Sequence, residues 1–328
     1  MSEAILEVKD LRTYFYSEKN VIPAVDGVTF TVKKGEVLGI VGESGCGKSV
    51  TSMSILRLLP ENQAVIQPGS SIRYKGTELT TMSRRDLRKI RGEQISMIFQ
   101  DSMTSLNPVK TIEKQMVNML RLHRRISRKE AKEYSIEMLK KVGIPEPEVK
   151  IKSYPHQLSG GQRQRILIAM ALACNPSLLI ADEPTTALDV TIQHQILELM
   201  RKIRDEQDTG IMLITHDMGV VAEMADNILV MYCGNVVEYA SASDIFKSPK
   251  HPYTRALLNS IPRLDKNEAR LNSIKGSVSN WNDMPKGCKF APRCEHCTQK
   301  CMDERPELYK VGDREVRCFL YEGGKSEV

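Results

Sequence analysis

The stretch Gly42-Glu43-Ser44-Gly45-Cys46-Gly47-Lys48-Ser49 carries the strongest fold signal in this sequence. It has the spacing G-x-x-x-x-G-K-[ST], and it follows an apolar run over Val37–Val41 that is typical of a buried strand. The glycines allow successive backbone N–H groups to turn toward one point, and the helix expected to begin near Gly47 adds its partial positive N-terminus. The stretch therefore predicts a phosphate-binding loop (P-loop) between a strand and a helix.

The residue types in this loop predict separate tasks in nucleotide binding. We expect Lys48 to pair with β- and γ-phosphate oxygens and the Ser49 hydroxyl to complete a Mg²⁺ shell. A glycine-rich loop that contains Lys-Ser by chance would lack the strand before it and the helix that should run as far as Leu59. The predicted ATP-binding residues of the loop are Gly42, Glu43, Ser44, Gly45, Cys46, Gly47, Lys48, Ser49 and Val50, with Cys46 as a small neutral filler.

A second apolar run, Leu178-Leu179-Ile180-Ala181, is followed by two carboxylates. Asp182 at a buried strand end would be a costly unpaired charge, but Mg²⁺ would compensate it. Glu183, one residue further on, is placed to polarise a water in line with the γ-phosphate. Taken alone, the pair could also be two carboxylates in a solvated turn.

Ser159, Gly160, Gly161 and Gln162 predict a second anion-binding helix start. Ser159 fits an N-cap, the glycines expose backbone N–H groups, and a helix should run from Gln162 to Cys174. A Ser-Gly-Gly run by itself is usually just a loop. One chain would then contain two helix N-termini that bind phosphate.

The remaining pattern predicts an α/β fold. The first 30 residues alternate apolar and polar side chains, which suits antiparallel strands, whereas later apolar runs at 211–214 and 228–231 are continuous, which suits buried parallel strands. Helices should begin near Ser83 and Asp189, and Ser127 with Glu130 forms a capping box for another helix. After about residue 239, prolines and cysteines replace long periodic segments, so this tail should be a separate, loop-rich module.

Length and composition restrict the class of protein. At about 150 residues per domain, 328 residues fit two domains. No apolar run approaches the roughly 20 residues that a membrane-spanning helix needs, and the start has no basic and apolar leader, so we expect a soluble intracellular protein. The formal net charge is only +6, without a basic tract, which argues against nucleic acid as a partner.

The P-loop, Leu158-Ser159-Gly160-Gly161-Gln162 and the run ending in Asp182-Glu183 resemble, in this order and spacing, the nucleotide-binding subunits of ATP-binding cassette (ABC) transporters. The resemblance covers about residues 4 to 240. It implies a parallel-sheet core of the RecA type, an antiparallel β subdomain and a helical subdomain at about 101–176. It also implies a head-to-tail dimer in which Ser159, Gly160 and Gly161 of one subunit close over the γ-phosphate held by the other subunit's P-loop.

The same resemblance assigns further residues. Gln100 would contact Mg²⁺ and the attacking water, Asp189 would lie at the dimer interface, and His216 would hold the γ-phosphate; the residues alone leave His216 equally open as a structural histidine. Catalysis would rest on Glu183, His216 and Gln100, and Mg²⁺ on Ser49, Gln100 and Asp182. An aromatic residue should stack on adenine, and Tyr14, Phe15 and Tyr16 compete for this role, with Phe15 favoured by its distance to the first strand.

Finer matches resemble the peptide and nickel importer branch. They are the segments Gln100–Pro108, Asp182–Thr191 and Pro249–Leu258. The branch imports dipeptides or oligopeptides, or sometimes nickel chelates or sugars. Its implied partners are two integral membrane permease subunits, a second cassette ATPase in a heterodimer or homodimer, and indirectly an extracytoplasmic peptide-binding protein. The implied location is peripheral, on the cytoplasmic face of the membrane.

Five of the eight cysteines lie in the last 41 residues. Without a secretion signal, a metal or cluster site explains this crowding better than a disulfide framework. The C-terminal extension of the peptide branch implies a [4Fe-4S] cluster on Cys288, Cys294, Cys301 and Cys318, with Cys297 as an alternative ligand. Structural Zn²⁺ on the same sulfurs, or reduced thiols and disulfides, are the alternatives.

The leading hypothesis is an ATPase that drives peptide import, with a cassette at 1–240 and an extension at 241–328. The alternative is a soluble cassette ATPase that acts on nucleic acid or ribosomes with the cysteine tail as binding module. A single cassette, no coiled-coil insertion and no basic tract argue against it. A third hypothesis makes the tail a redox or iron sensor that regulates transport.

Overall fold

The computed structural model describes residues 3–17, 20–100, 105–186, 188–260, 274–279 and 281–324. The chain divides into two compact units. The first unit comprises residues 1–6, 31–37 and 73–214, and the second unit comprises residues 7–30, 38–72 and 215–328. The predicted cassette at 1–240, its helical subdomain and the extension at 241–328 stay predictions.

The strands of the described residues begin with two long ones and continue with short ones. Their bounds are β1 Ala4–Tyr16, β2 Val21–Lys33, β3 Val37–Val41, β4 Ala64–Ile66, β5 Ser71–Tyr74, β6 Thr77–Glu78, β7 Ile95–Ile98, β8 Leu178–Asp182, β9 Gly210–Ile214, β10 Asn227–Tyr232, β11 Asn235–Ser241, β12 Tyr309–Val311 and β13 Arg314–Val316.

The α-helices lie between and after these strands. Their bounds are α1 Lys48–Ile55, α2 Arg84–Ile90, α3 Ile112–His123, α4 Arg128–Lys141, α5 Pro147–Lys150, α6 Gly160–Leu172, α7 Val190–Gln207, α8 Met218–Met224, α9 Ala242–Lys247, α10 Pro252–Asn259 and α11 Gln299–Asp303. Among the described helices, none is long and apolar enough to cross a membrane.

In the first unit, β7, β8 and β9 form a parallel sheet. Leu178 pairs with Ile95 on one side and with Gly210 on the other. All residues of β8 and β9 are buried, which explains why their sequences are continuous apolar runs rather than alternating ones. The prediction of buried parallel strands here is confirmed.

The helix starts follow from local chemistry. Ser83, Ser127, Ser159 and Asp189 are N-caps, and each side chain accepts a hydrogen bond from a backbone N–H in the first turn. Ser127 with Glu130 forms the expected capping box. All four predicted helix starts are confirmed.

The second unit contains the P-loop and the part of the chain that follows β11, which we call the C-terminal segment. Strands β3 and β10 are parallel, whereas β10–β11, β11–β13 and β13–β12 are antiparallel. The antiparallel pair β1–β4 matches Thr13 with Ile66. Strands β12 and β13 of the C-terminal segment therefore extend the sheet of this unit. The segment also contains short 3-10 helices.

The core of the second unit is partly aromatic. Tyr232, Tyr253 and Phe290 are buried together, with ring centroids 4.7 Å apart for the two tyrosines and 5.3 Å apart for Tyr232 and Phe290. Tilted and edge-on aromatic packing of this kind adds to the stability from apolar burial. Residues from β10 and from two parts of the C-terminal segment, α10 and the region around Phe290, thus share one core.

Candidate nucleotide-binding site

The P-loop of the second unit connects β3 to α1, as predicted. Two of its glycines are required by close approach as well as by backbone angle. Gly42 has φ +152°, and a Cβ there would lie 2.2 Å from the Met231 carbonyl oxygen; Gly47 has φ +99°, and a Cβ there would lie 2.3 Å from that of Ala24. Any side chain at either position would therefore displace the loop.

The lysine of the loop is buried against the loop itself. Lys48 Nζ donates to the carbonyl oxygens of Gly42 at 2.7 Å and Glu43 at 3.0 Å. Burial raises the pKa of the Cys46 thiol, so it stays protonated, as expected of a neutral filler. Ser44 and Gly45 are exposed, so the outer side of the loop faces solvent.

Strand β1 separates the three candidate aromatic residues by face. Thr13 and Ser54 of α1 hydrogen-bond at 2.8 Å, which places this face of β1 over the helix that follows the P-loop. Phe15 is on the same face because side chains alternate along a strand. Tyr14 is on the other face and donates to Asp26 Oδ1 at 3.0 Å. This geometry favours Phe15 over Tyr14 as the adenine neighbour.

His216 is exposed, and hydrogen bonds hold both of its neighbours in the chain, Thr215 and Asp217, within the second unit. The Thr215 N–H donates to the Ile40 carbonyl oxygen at 3.3 Å, and Asp217 caps α8. The backbone on both sides of His216 is therefore fixed while its side chain faces solvent, which fits a ligand-contacting role better than a core one.

In the first unit, the end of β8 presents the carboxylates. Asp182 is 2% exposed, and Glu183 follows with φ +48°, an uncommon angle for this residue type. The Glu183 N–H donates to the Ile214 carbonyl oxygen at 2.8 Å. Gln100 Nε2 donates to Glu183 Oε2 at 3.2 Å, so two of the predicted catalytic residues are in contact.

Ser159, Gly160, Gly161 and Gln162 form the start of α6, as predicted. Ser159 and Gln162 cap each other reciprocally, and Ser159 and Gly160 are exposed. Asp189 is exposed as well and caps α7 by accepting from the Ile192 N–H at 3.0 Å. These positions are therefore open to another molecule.

Comparison with known proteins agrees with this geometry. The family model "ABC transporter" matches residues 25–186, and "Oligopeptide/dipeptide transporter, C-terminal region" matches residues 237–301. The oligopeptide transport ATP-binding protein AppD of Bacillus subtilis (strain 168) is 53% identical over 97% of this chain and 97% of its own.

The chain belongs to the ABC transporter ATP-binding proteins.

Other relatives of this ABC protein carry similar names. The dipeptide transport ATP-binding protein DppD of Haemophilus influenzae is 48% identical over 96% of this chain and 95% of its own length. The solved dimer of the ATP-binding cassette MJ0796 in a post-hydrolysis state with ADP and Pi is similar in structure, with a TM-score of 0.66 and 28% identity over 72% of this chain and 98% of that one. The predicted ABC cassette fold is confirmed.

The prediction of an iron–sulfur cluster in this ABC protein is wrong. The described ranges contain no group of three or more His, Cys, Asp or Glu side chains that could hold a metal ion. Cys288, Cys294, Cys301 and Cys318 line one cavity of about 230 Å³. Burial raises the pKa of Cys288 to about 11 and of Cys318 to about 12, so both thiols are protonated at neutral pH. Cys297 is exposed, and all eight cysteines are free. The same finding contradicts a zinc ion on these sulfurs.

Three residues of the ABC protein that contact the predicted motifs were missed from the sequence. Gln164 Nε2 donates to the Pro184 carbonyl oxygen at 2.9 Å and so supports the turn after Glu183. Tyr253 and Arg293 both contact Glu43. Only the match of the segment around Tyr253 to the peptide branch could have indicated one of them.

Proposed function

We propose that this protein hydrolyses ATP to drive the import of dipeptides or oligopeptides through a membrane complex. The contact between Gln100 and Glu183 at the end of β8 supports the hydrolytic part most directly. The peptide cargo is supported by the relatives, whose names specify oligopeptide or dipeptide transport.

Glu183 acts as the general base in this proposal. Its carboxylate is held at one oxygen by Gln100 Nε2 and by the Thr186 hydroxyl, which donates at 3.1 Å. Two donors on one oxygen fix the direction of the carboxylate, and a carboxylate held in a fixed direction can accept a proton from water. Two hydrogen bonds support the uncommon backbone angle of Glu183. Gln164 Nε2 donates to the carbonyl oxygen of Pro184, and the Glu183 N–H donates to that of Ile214.

Binding of ATP uses the P-loop in this proposal. Lys48 and the backbone N–H groups from Ser44 to Val50 hold the phosphates, Phe15 contacts adenine, and His216 contacts the γ-phosphate. The hydroxyl of Ser49, the amide oxygen of Gln100 and the buried carboxylate of Asp182 are hard oxygen donors, a set that fits Mg²⁺. The ion would neutralise phosphate charge.

The proposed assembly contains two cassettes and two integral membrane permease subunits. Ser159, Gly160, Gly161, Gln162 and Asp189 would complete the site of a partner cassette, either a second copy or a related chain. The exposure of Ser159, Gly160 and Asp189 supports this arrangement. The protein would be peripheral, on the cytoplasmic face of the membrane, with an extracytoplasmic peptide-binding protein supplying cargo.

Co-purification and transport test the proposal. The full chain, expressed with candidate permease subunits, should be recovered with them and, in proteoliposomes that contain a peptide-binding protein, should support ATP-dependent uptake of a labelled dipeptide or tetrapeptide. Vesicles with Lys48→Ala protein serve as the control and should show no uptake. Recovery with RNA or DNA instead of membrane subunits, or uptake that is independent of ATP, would contradict the proposal.

A further inference from the structure

The P-loop residue Glu43 is held by the C-terminal segment at both its backbone and its side chain. Its N–H donates to the Tyr253 hydroxyl oxygen at 2.8 Å. Its carboxylate accepts from Arg293 twice, at 2.6 Å from Nη1 to Oε2 and at 3.1 Å from Nη2 to Oε1. Bidentate pairs of this kind restrict orientation as well as position. All of these residues lie in the second unit.

Both holding residues are themselves fixed. The Arg293 side chain is 5% exposed, and its Nε donates to the Lys275 carbonyl oxygen at 3.0 Å. The Tyr253 ring is fully buried in the aromatic core, 5.4 Å from Phe290 between ring centroids. Both side chains are therefore held by contacts other than those with Glu43.

A chain of buried polar contacts anchors Tyr253 in turn. Glu238 of β11 accepts from the backbone N–H groups of Lys250 and His251, each at 2.8 Å. His251 Nδ1 then accepts from the Tyr253 N–H at 3.0 Å, as the N-cap of α10. Hydrogen bonds through His251 therefore connect Tyr253, whose hydroxyl contacts Glu43, to Glu238 on strand β11.

We propose that Tyr253 and Arg293 are positioning residues for ATP binding, which hold the P-loop in its phosphate-binding shape through Glu43. The inference rests on the proposed ATP binding. The backbone N–H groups that would contact phosphate follow Glu43 directly, so a loop released at Glu43 must lose more conformational freedom when ATP binds. Through these two residues, the C-terminal segment contributes to nucleotide binding in its own chain.

The first test removes one hydroxyl. Tyr253→Phe keeps the ring in the core and leaves the Glu43 N–H without its acceptor. We expect the Kd for Mg-ATP, measured by titration calorimetry on the full chain, to rise about 3- to 10-fold, the size of one lost hydrogen bond. The matched control is Tyr74→Phe, since Tyr74 is 2% exposed and its hydroxyl hydrogen-bonds to Ser177 Oγ in the first unit, outside the contacts that anchor Tyr253.

A double-mutant cycle tests the ion pair. Arg293→Met and Glu43→Ala should each weaken ATP binding. The double variant should have the same ATP affinity as the single variant that binds ATP more weakly, because both changes remove the same contact. Arg314→Met is the control. It removes a single-contact ion pair with Asp244, 2.7 Å long, in the same unit. A merely structural role would lower the melting temperature in Arg293→Met and Arg314→Met alike without separating their ATP affinities.

The outcomes separate the two proposals. If the wild-type chain does not bind ATP, the proposed function fails and this inference fails with it. If the wild-type chain binds ATP and Tyr253→Phe binds as tightly as Tyr74→Phe, or if the effects of Arg293→Met and Glu43→Ala multiply in the double variant, only the positioning role is overturned. A selective loss of affinity in Tyr253→Phe together with non-additivity in the cycle supports it.

Discussion

The P-loop and the C-terminal segment lie in the same unit but encode their roles differently. The P-loop does its work through eight consecutive residues whose backbone forms the site. The C-terminal segment acts through isolated side chains, Tyr253 and Arg293, which lie 210 and 250 residues away in sequence from the Glu43 that they contact. A contiguous motif can be recognised from its spacing, whereas a set of distant contacts exists only once the chain has folded.

The largest effect should come from the residue that we expect to do the chemistry. Glu183→Gln should lower kcat about 100- to 10,000-fold, because a general base is lost, while ATP binding is kept. Steady-state phosphate release and equilibrium binding measure the two quantities. Glu198→Gln, at an exposed side chain of α7, should retain wild-type turnover. Wild-type turnover in Glu183→Gln would show that the base is elsewhere.

A core residue of the C-terminal segment should come next. Phe290 is 3% exposed and packs on Tyr232 and Tyr253, so Phe290→Ala should lower the free energy of unfolding by about 3–5 kcal/mol. Denaturant titration measures this change. Leu122→Ala, at a side chain that is 78% exposed, should cost at most about 0.5 kcal/mol. Equal effects would mean that the segment is not part of this unit's core.

Ser159→Arg tests whether the exposed start of α6 completes another subunit's site. A bulky charge there should prevent closure and reduce hydrolysis about 100-fold, whereas nucleotide binding to a monomer should persist. Ser83→Arg is a matched control, because Ser83 is also an exposed N-cap serine and accepts from the Asp86 N–H at 3.2 Å. If Ser159→Arg retained full ATPase activity, the composite site would be refuted.

The smallest effect concerns pH. Burial lowers the pKa of His251 to about 3, so the folded protein keeps this ring neutral and the unfolded chain binds the extra proton below about pH 6.5. Stability should therefore decrease as pH falls from 6.5, by up to about 1.4 kcal/mol per unit. Burial raises the pKa of the neighbouring Glu238, which gives the opposite slope, so a variant must be compared with wild type.

His251→Asn isolates this contribution. An Asn side-chain oxygen can accept the Tyr253 N–H as Nδ1 does, but it does not titrate. As pH falls from 6.5 to 4.5, His251→Asn should lose less stability than wild type, as measured by thermal unfolding at several pH values. Parallel curves for the two proteins would show that His251 does not contribute to acid sensitivity.

Local chemistry explains which features could be predicted from the sequence. Ser127 and Ser159 identify helix starts because their partners are three residues away, and Val37–Val41 identifies a buried strand because no polar residue interrupts it. The contact of Gln100 with Glu183 was accessible only through family resemblance, since 83 residues separate them. The cysteines show the opposite error, because crowding in sequence does not fix how the sulfurs are arranged or whether they ionise.

The pairing of β11 with β13 has a practical consequence. Glu238 and Tyr239 pair with Val316 and Glu315, and the Arg317 N–H donates to the Val237 carbonyl oxygen at 2.8 Å. A chain cut near residue 240 would leave this side of β11 as an unprotected edge strand, with unpaired backbone groups and uncovered apolar side chains. Such edges recruit other chains. A cassette expressed without the residues after about position 240 of the 328 should therefore aggregate, even though every hydrolytic motif would be present.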